Sequence, residues 1–335
     1  MKVTQSKADE KNQNVKGIYT KILGTGGYMP ERILTNADLE KIVDTTDEWI
    51  VERSGIRSRH IMAPSETTLS MAEIAAMRAI EASGIDKNKI GLIIFATVTP
   101  DNLFPNTASM LQYRLGINEN ECPAFDVSAA CSGFIYALSI ADKYIKSGEV
   151  EYVLIIGAES LTKTVDWTDR STCILFSDGA GAAVLGASDQ PGVYSTHLHA
   201  DGAYKDLVYL SGNLYEGSSQ RHLIMRGNET FKIAVKKLGS VVDETLKHNN
   251  LTKDDINWLI PHQANLRIIQ AIAKKLNIDK ERVVMTIEEH ANSSAASVPL
   301  AMDLAIRDGR IKRGDLMLLE AFGSGVTWGA ALVRY

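Results

Sequence analysis

Over its 335 residues the chain has only three cysteines, Cys122, Cys131 and Cys173, and no CxxC spacing. That scarcity excludes a disulfide framework and makes a metal site unexpected; it fits a reducing compartment in which a thiol stays free for chemistry. No apolar run approaches the roughly 18 residues that a membrane span needs, and the opening segment Met1–Glu10 has no hydrophobic signal region. A cytoplasmic protein with no membrane partner is expected. Positive charge is not in excess either: the formal net charge is −5, which argues against nucleic acid as a partner. Two glycine-rich stretches lack what a dinucleotide loop requires. Gly24-Thr-Gly-Gly27 is followed by Met29 where a third glycine would stand, and Gly179-Ala-Gly181-Ala-Ala-Val184 fails at its last place. Nucleotide redox chemistry is therefore disfavoured, and no cofactor is expected.

What remains is an ordinary globular composition, 45% hydrophobic and 23% charged, long enough for a deep core and two subdomains. Residues 1–17 are polar and aperiodic and read as a disordered leader. Beyond them strands and helices alternate. Ser70-Met-Ala-Glu73 fits a capping box opening a helix that Gly84 closes, and Ile90–Ala96 is a buried strand, so the class is α/β, with helices covering a sheet. The chain also echoes itself. The helix-loop-strand pattern of residues 79–97 returns at 242–263, and Phe176–Leu185 returns at Phe322–Val333. Two echoes in the same order predict two similar halves, 18–190 and 191–335, with a functional site at their seam.

The seam has its chemistry. Pro123–Leu138 reads as a short strand, a turn of small residues and a helix whose first turn contains Cys131. Helix N-termini stabilise thiolates, so a lowered Cys131 pKa is expected. Cys122 and Cys173 sit in apolar contexts that suit structural roles. Of the seven histidines, His262 directly follows the strand Trp258–Pro261, where side chains face a ligand crevice. His290, close to Asn292, is a rival. His197 and His199 share a strand face without an evident third metal ligand, and His60, His222 and His248 read as surface or loop residues. Cys131, His262 and Asn292 together supply the set that thioester chemistry uses. Between Arg226 and Arg282 there are eleven Lys and Arg against seven Asp and Glu, 11 − 7 = +4, a basic face suited to an acidic ligand or partner.

The segments Thr46–Arg57, Pro123–Leu138, Pro261–Arg267, His290–Ser297 and Glu320–Tyr335 closely resemble the β-ketoacyl-acyl-carrier-protein synthases III, the initiating condensing enzymes of type II fatty acid synthesis. The resemblance runs over about residues 18–335. It implies a thiolase-like duplicated fold in α-β-α-β-α layers, a cytoplasmic homodimer, and condensation of acetyl-CoA with malonyl-acyl carrier protein through an acetyl-Cys131 intermediate, without a cofactor. It further implies that His262 and Asn292 donate hydrogen bonds to the enolate, and that the N–H groups of Cys131 and Ser324 form the oxyanion hole. CoA would be held by Thr45, Trp49, Arg53, Arg170, Met225, Gly227, Asn228, Phe231, Ala264 and Asn265, with Arg170 stacked opposite Trp49 across the adenine. Phe322, with Phe104 reaching across the dimer, would bound the acyl pocket, and Lys232, Lys236, Arg267, Lys274 and Lys275 would meet the carrier protein. Ala291, Ser324 and Val326 depart from the usual residues, the last in a way expected to widen a pocket. A related acyltransferase of secondary metabolism, using another acyl-CoA or acceptor, is the alternative.

Overall fold

A computed structural model of the chain describes residues 18–117, 122–211 and 222–335. The leader expected over residues 1–17 lies outside them. In chain order the described residues form β1 (Tyr19–Tyr28), β2 (Ile33–Thr35), α1 (Asn36–Leu39), α2 (Asp47–Ser54), β3 (Ser58–His60), α3 (Thr68–Ser83), β4 (Ile90–Ala96), α4 (Thr107–Leu115), β5 (Ala124–Val127), α5 (Gly133–Lys146), β6 (Tyr152–Ser160) and β7 (Asp178–Ser188). After a short turn come β8 (Val193–Ala200), β9 (Val208–Leu210), β10 (Leu223–Met225), α6 (Gly227–His248), β11 (Trp258–Pro261), α7 (Leu266–Leu276), α8 (Ile287–His290), α9 (Ser297–Arg307), β12 (Leu316–Gly323) and β13 (Thr327–Arg334).

The first large sheet has the order β1-β7-β6-β4-β5, and the second, read from its first strand, β8-β13-β12-β11. Directions agree as well: β1 and β8 each pair antiparallel with the last strand of their half, and β4 and β11 pair parallel with β6 and β12. An isolated parallel bridge from Leu259 to Val283 stands where β5 stands in the first sheet. The sequence echo at 79–97 and 242–263 is therefore a repeat of helix, 3-10 turn and strand: α3, Lys87–Lys89 and β4 in one half, α6, Lys253–Asp255 and β11 in the other.

Alternation along the strands sorts the core into two kinds of layer. Leu92, Ile94, Val153 and Ile155 point inward with Met317, Leu319, Ala331 and Val333 of the second sheet, and between them lie Phe134, Leu138 and Ala141 of α5 and Val298, Met302 and Ala305 of α9. Ile93, Phe95, Leu154 and Ile156 point the other way, onto α3 and α4. Leu259, Leu316, Leu318 and Leu332 do the same on the far side and are covered from α6 and α7. The result is helix, sheet, helix, sheet, helix. Strands buried on both faces are apolar along most of their length, which is why β4 reads as a nearly continuous hydrophobic run and β12 as one interrupted only by Glu320 and its terminal glycine.

One local expectation is corrected. Helix α3 begins earlier than its sequence suggests, because Thr67, not Ser70, is the N-cap: the Ser70 N–H donates to Thr67 Oγ1 at 3.1 Å, and Ser70 Oγ accepts from the Thr67 N–H at 2.8 Å. Ser70 thus takes the return position of the box.

Candidate active site

Where the two halves meet, a cavity of about 710 Å³ opens from the surface down to Cys131, His262 and Asn292. Cys131 lies in a 3-10 turn, Ala130–Ser132, immediately ahead of α5 and not within its first turn. Ala130 holds φ +46° there, and the Ser132 hydroxyl ties the turn down by hydrogen-bonding the Ala129 carbonyl at 2.7 Å. The opposite wall is Gly323, at the end of β12. A Cβ on it would fall 2.8 Å from the Cys131 nitrogen and 2.9 Å from the Ala129 oxygen, so the approach is possible only for glycine.

That enclosure reverses the sequence expectation for the thiol. Burial pushes the Cys131 pKa up to about 12, with the nearby Glu159 charge pushing the same way, while hydrogen bonds from Ser294 and a backbone N–H pull it down. In the free protein the thiol is neutral at physiological pH, because losing water outweighs the favourable turn geometry.

His262 sits at the end of β11, and burial drives its pKa down to about 3, so the ring is neutral. Ser297 Oγ lies 2.5 Å from His262 Nδ1 and also accepts from the Gln263 N–H at 3.3 Å; with the Ser297 proton directed to Nδ1, the ring carries its N–H at Nε2. Asn292 is oriented in the same manner. Its Oδ1 accepts from the Ser294 N–H at 2.9 Å, and its backbone bridges Leu175 and Ser177, so its Nδ2 amide is the group left to donate. Both side chains are buried donors with no charge. His290 is not part of this group: half-buried, it stands edge-on to His60, ring centroids 6.1 Å apart.

At the mouth, Thr46 caps α2 by accepting from the Trp49 N–H, and Trp49 faces two guanidinium groups, Arg53 at 4.6 Å and Arg170 at 4.9 Å from its ring centroid. Arg170 is anchored to the Asp44 carbonyl at 2.7 Å. At 4.9 Å it lies directly on the indole, so a purine between the two requires Arg170 to move outward. Asn265 fastens the mouth across the halves, donating from Nδ2 to the Arg53 carbonyl at 2.9 Å while it caps α7. Met225, Gly227, Asn228, Phe231, Ala264 and Phe322 also line the cavity, as do Ser324 and Arg267.

Four groups of expected residues stand elsewhere. Thr45 and Arg170 do not line the cavity. Phe104 is 85% exposed, on a loop outside its own chain's cavity. Lys232, Lys236, Lys274 and Lys275 are exposed on α6 and α7, Lys275 paired with Asp243 at 3.4 Å. Val326 is packed into the core and does not border the cavity, so the pocket widening expected of it does not occur. Its carbonyl and N–H both bond to Asp201, which turns the side chain inward. The residues that sequence reasoning missed are the supports: Ser294, Ser297, Gln263, Gly323 and Glu159. A carboxylate inside the otherwise apolar run Tyr152–Ala158-Glu159 was the available signal for the last.

A cysteine presented where the two sheets of a duplicated five-layer fold meet places the chain in the thiolase-like class of acyl-transferring enzymes. Residues 125–202 match the family 3-oxoacyl-[acyl-carrier-protein] synthase III, and residues 246–335 match its C-terminal part. The chain is 59% identical over 319 residues to the β-ketoacyl-[acyl-carrier-protein] synthase III of Escherichia coli strain K12, covering 95% of this chain and 100% of that one. Among solved structures, the 3-oxoacyl-[acyl-carrier-protein] synthase III of Aquifex aeolicus superposes with TM-score 0.89 at 48% identity, covering 94% of this chain and 100% of that one. The priming β-ketosynthase of the R1128 polyketide pathway superposes with TM-score 0.90 at 36% identity, covering 94% and 96%. The chain belongs to the β-ketoacyl-[acyl-carrier-protein] synthase III family and is an acyltransferase.

Proposed function

We propose that the protein condenses acetyl-CoA with malonyl-acyl carrier protein, the step that starts fatty acid synthesis, in the cytoplasm and without a cofactor. Cys131 Sγ, as thiolate, attacks the acetyl thioester carbonyl; the C–S bond to CoA breaks and CoA leaves. Malonyl-acyl carrier protein then loses carbon dioxide, and the enolate carbon attacks the acetyl-Cys131 carbonyl, releasing the cysteine and 3-oxobutanoyl-acyl carrier protein. The observation that carries this reading is the pair of neutral donors, His262 Nε2–H and Asn292 Nδ2–H, preset by Ser297 and by the Ser294 amide in one cavity with the thiol. Such donors favour an oxygen that gains charge only during reaction. The N–H groups of Cys131 and Ser324 serve the acyl-transfer oxyanion.

Trp49, Arg53 and Arg170 suit a purine and its phosphates, and Met225, Gly227, Asn228, Phe231, Ala264 and Asn265 suit the pantetheine arm, with Thr45 close by. Lys232, Lys236, Arg267, Lys274 and Lys275 suit the acidic carrier protein. Residues 18–190 and 191–335 act as the two halves. Exposure of Leu103, Phe104 and Tyr113 beside the half-buried edge strand β5 supports a homodimer in which Phe104 closes the partner's acyl pocket. Among the described residues no helix is long and apolar enough to cross a membrane.

The test is release of carbon dioxide and 3-oxoacyl product from malonyl-acyl carrier protein, with a panel of acyl-CoA primers. Acetyl-CoA should give product, and Cys131→Ala should lower the rate on the order of 10⁵-fold. Acyl-Cys131 that forms without consuming malonyl-acyl carrier protein would overturn the condensing role and favour an acyltransferase of secondary metabolism.

A further inference from the structure

Beneath the nucleophile lies a buried carboxyl that the proposed mechanism leaves unused. Glu159 is inaccessible to solvent, near the end of β6. Its Oε2 accepts from Thr97 Oγ1 at 3.1 Å, the Val98 N–H at 3.1 Å, the Thr99 N–H at 3.1 Å and Thr99 Oγ1 at 2.6 Å. Its Oε1 shares the Val98 N–H at 3.3 Å and accepts from Ser294 Oγ at 3.1 Å. Ser294 also stands beside Cys131 in the cavity wall, and its hydroxyl pulls the thiol pKa down. The serine is held in this place from all sides. Its N–H is fixed by Asn292 Oδ1 at 2.9 Å, it adopts φ +50°, and the turn that carries it presses on Gly157 of β6, where a Cβ would fall 2.2 Å from the Ala295 oxygen. Cys131 Sγ, Ser294 Oγ and Glu159 Oε1 thus follow one another from the cavity floor, where the cysteine is half-buried, to a carboxyl out of reach of solvent.

We propose that Glu159, acting through Ser294, takes up the proton of the Cys131 thiol. Sγ gives its proton to Ser294 Oγ as Ser294 gives its own to Glu159 Oε1. The products are a thiolate, an unchanged hydroxyl that now donates to it, and a neutral carboxylic acid. One negative charge moves from carboxylate to sulfur, and none is created. This removes the obstacle the site itself poses, since a thiolate formed beside an ionised Glu159 would place two neighbouring charges where burial disfavours each. Burial also suits the carboxyl to this role, raising its pKa to about 7, close to a working pH. Cys131 is the titratable group facing it; the segments Thr97–Thr99 and Asn292–Ser297 present hydroxyls and amides, and His262 in the same cavity remains neutral. Glu159 never meets the substrate and is a positioning residue. The inference deepens the proposed function and rests on its assignment of Cys131 as nucleophile.

The test is the pH dependence of Cys131 alkylation by iodoacetamide in the substrate-free protein, followed by mass spectrometry. It requires no acyl-CoA, so it can fail while the condensing assay succeeds, and the reverse. Sharing one charge makes the wild-type rate rise with an apparent pKa near 7 and then level off. Glu159→Gln is isosteric and cannot take the proton, so its rise should move upward by at least about one pH unit, an approximately tenfold loss at pH 7.5. Ser294→Ala, which keeps the carboxyl and cuts the line, should do the same. The position of the inflection is read independently of the fraction of protein folded. An inflection unchanged in both variants, or moved downward in Glu159→Gln as expected if the carboxylate only repels the thiolate, overturns the proposal.

Discussion

The turn that carries Cys131 has a twin. In the N-terminal half Ala130 (φ +46°), a 3-10 turn over Ala130–Ser132 and helix α5 follow the edge strand; in the C-terminal half Ser294 (φ +50°), a 3-10 turn over Ser294–Ala296 and helix α9 follow the Val283 bridge. Each turn is admitted by a glycine on a strand of the opposite sheet: Gly323 of β12 receives the Cys131 turn, and Gly157 of β6 receives the Ser294 turn. The two turns also touch, since a Cβ on Gly133 would meet the Ala295 side chain at 3.4 Å. Cys131 and Ala295 hold the same place in the two copies, as do Ala130 and Ser294. The same strained scaffold therefore serves two ends. One copy presents the thiol of Cys131, and the other has Ala295 in that place and, through Ser294, hydrogen bonds to Asn292 and Glu159.

If the halves divide the work in this way, removing the C-terminal donors His262 or Asn292 should spare acyl transfer and spoil condensation. His262→Ala or Asn292→Ala is expected to lower 3-oxoacyl product formation about 10²- to 10³-fold, while acetyl-Cys131 still forms within roughly tenfold of the wild-type rate. Single-turnover kinetics with labelled acetyl-CoA, followed by addition of malonyl-acyl carrier protein, separates the two steps. Equal loss in both would break the comparison.

How much of this was legible depends on the kind of signal. The buried strands, the two repeats and the trio Cys131, His262 and Asn292 were readable, because apolar runs and residues at strand ends are local features of the chain. The thiol's pKa was not. A helix entrance suggests a lowered value, but the burial that wins is built by distant parts of the chain, among them Gly323, which closes on the Cys131 backbone from 192 positions away (323 − 131). Ser294, Ser297 and Gln263 lie within the segments around His262 and Asn292, yet their role is to orient other side chains, which only three-dimensional contact reveals. Val326 was misjudged for a related reason, since the turn between β12 and β13 and its backbone bonds to Asp201 decide which way it points.

A second pair of counterparts sharpens the contrast. The topologically equivalent strands β6 and β12 each bury a carboxyl, but Glu159 has the hydroxyls and amides of Thr97–Thr99, whereas Glu320 has an Oε2 without a hydrogen-bond partner among the described residues. Burial raises the Glu320 pKa to about 8. The sign follows from proton counting. Between the ordinary carboxyl value and about 8 the native state holds a proton that the unfolded chain has released, so the contribution of this group to stability falls as pH rises. Glu320→Gln should therefore be more stable than wild type by about 2–4 kcal/mol at pH 8, with the gain shrinking toward zero near pH 4.5. Urea unfolding at both pH values checks it. A gain independent of pH would mean that packing, and not the proton, sets the difference.

The smallest effect concerns the approach to the C-terminal turn. Ala291 stands at φ +51°, ψ −156°, a region that glycine enters freely and alanine does not, directly before Asn292. Its counterpart in the N-terminal copy, Val127, lies in the extended strand β5 and carries no such strain. Strain of this type costs on the order of 1–3 kcal/mol, against which glycine loses more chain entropy on folding. Ala291→Gly should accordingly raise stability by a net of about 0.5–1 kcal/mol. Because Asn292 is fixed on both sides, by Leu175 and Ser177 through its backbone and by Ser294 through its side chain, the condensation rate should change less than about threefold. Urea unfolding and the product assay read the two quantities separately. A stability gain accompanied by a large loss of condensation would show that the strained backbone itself aims the Asn292 amide, and would make the difference between the two turns part of the chemistry.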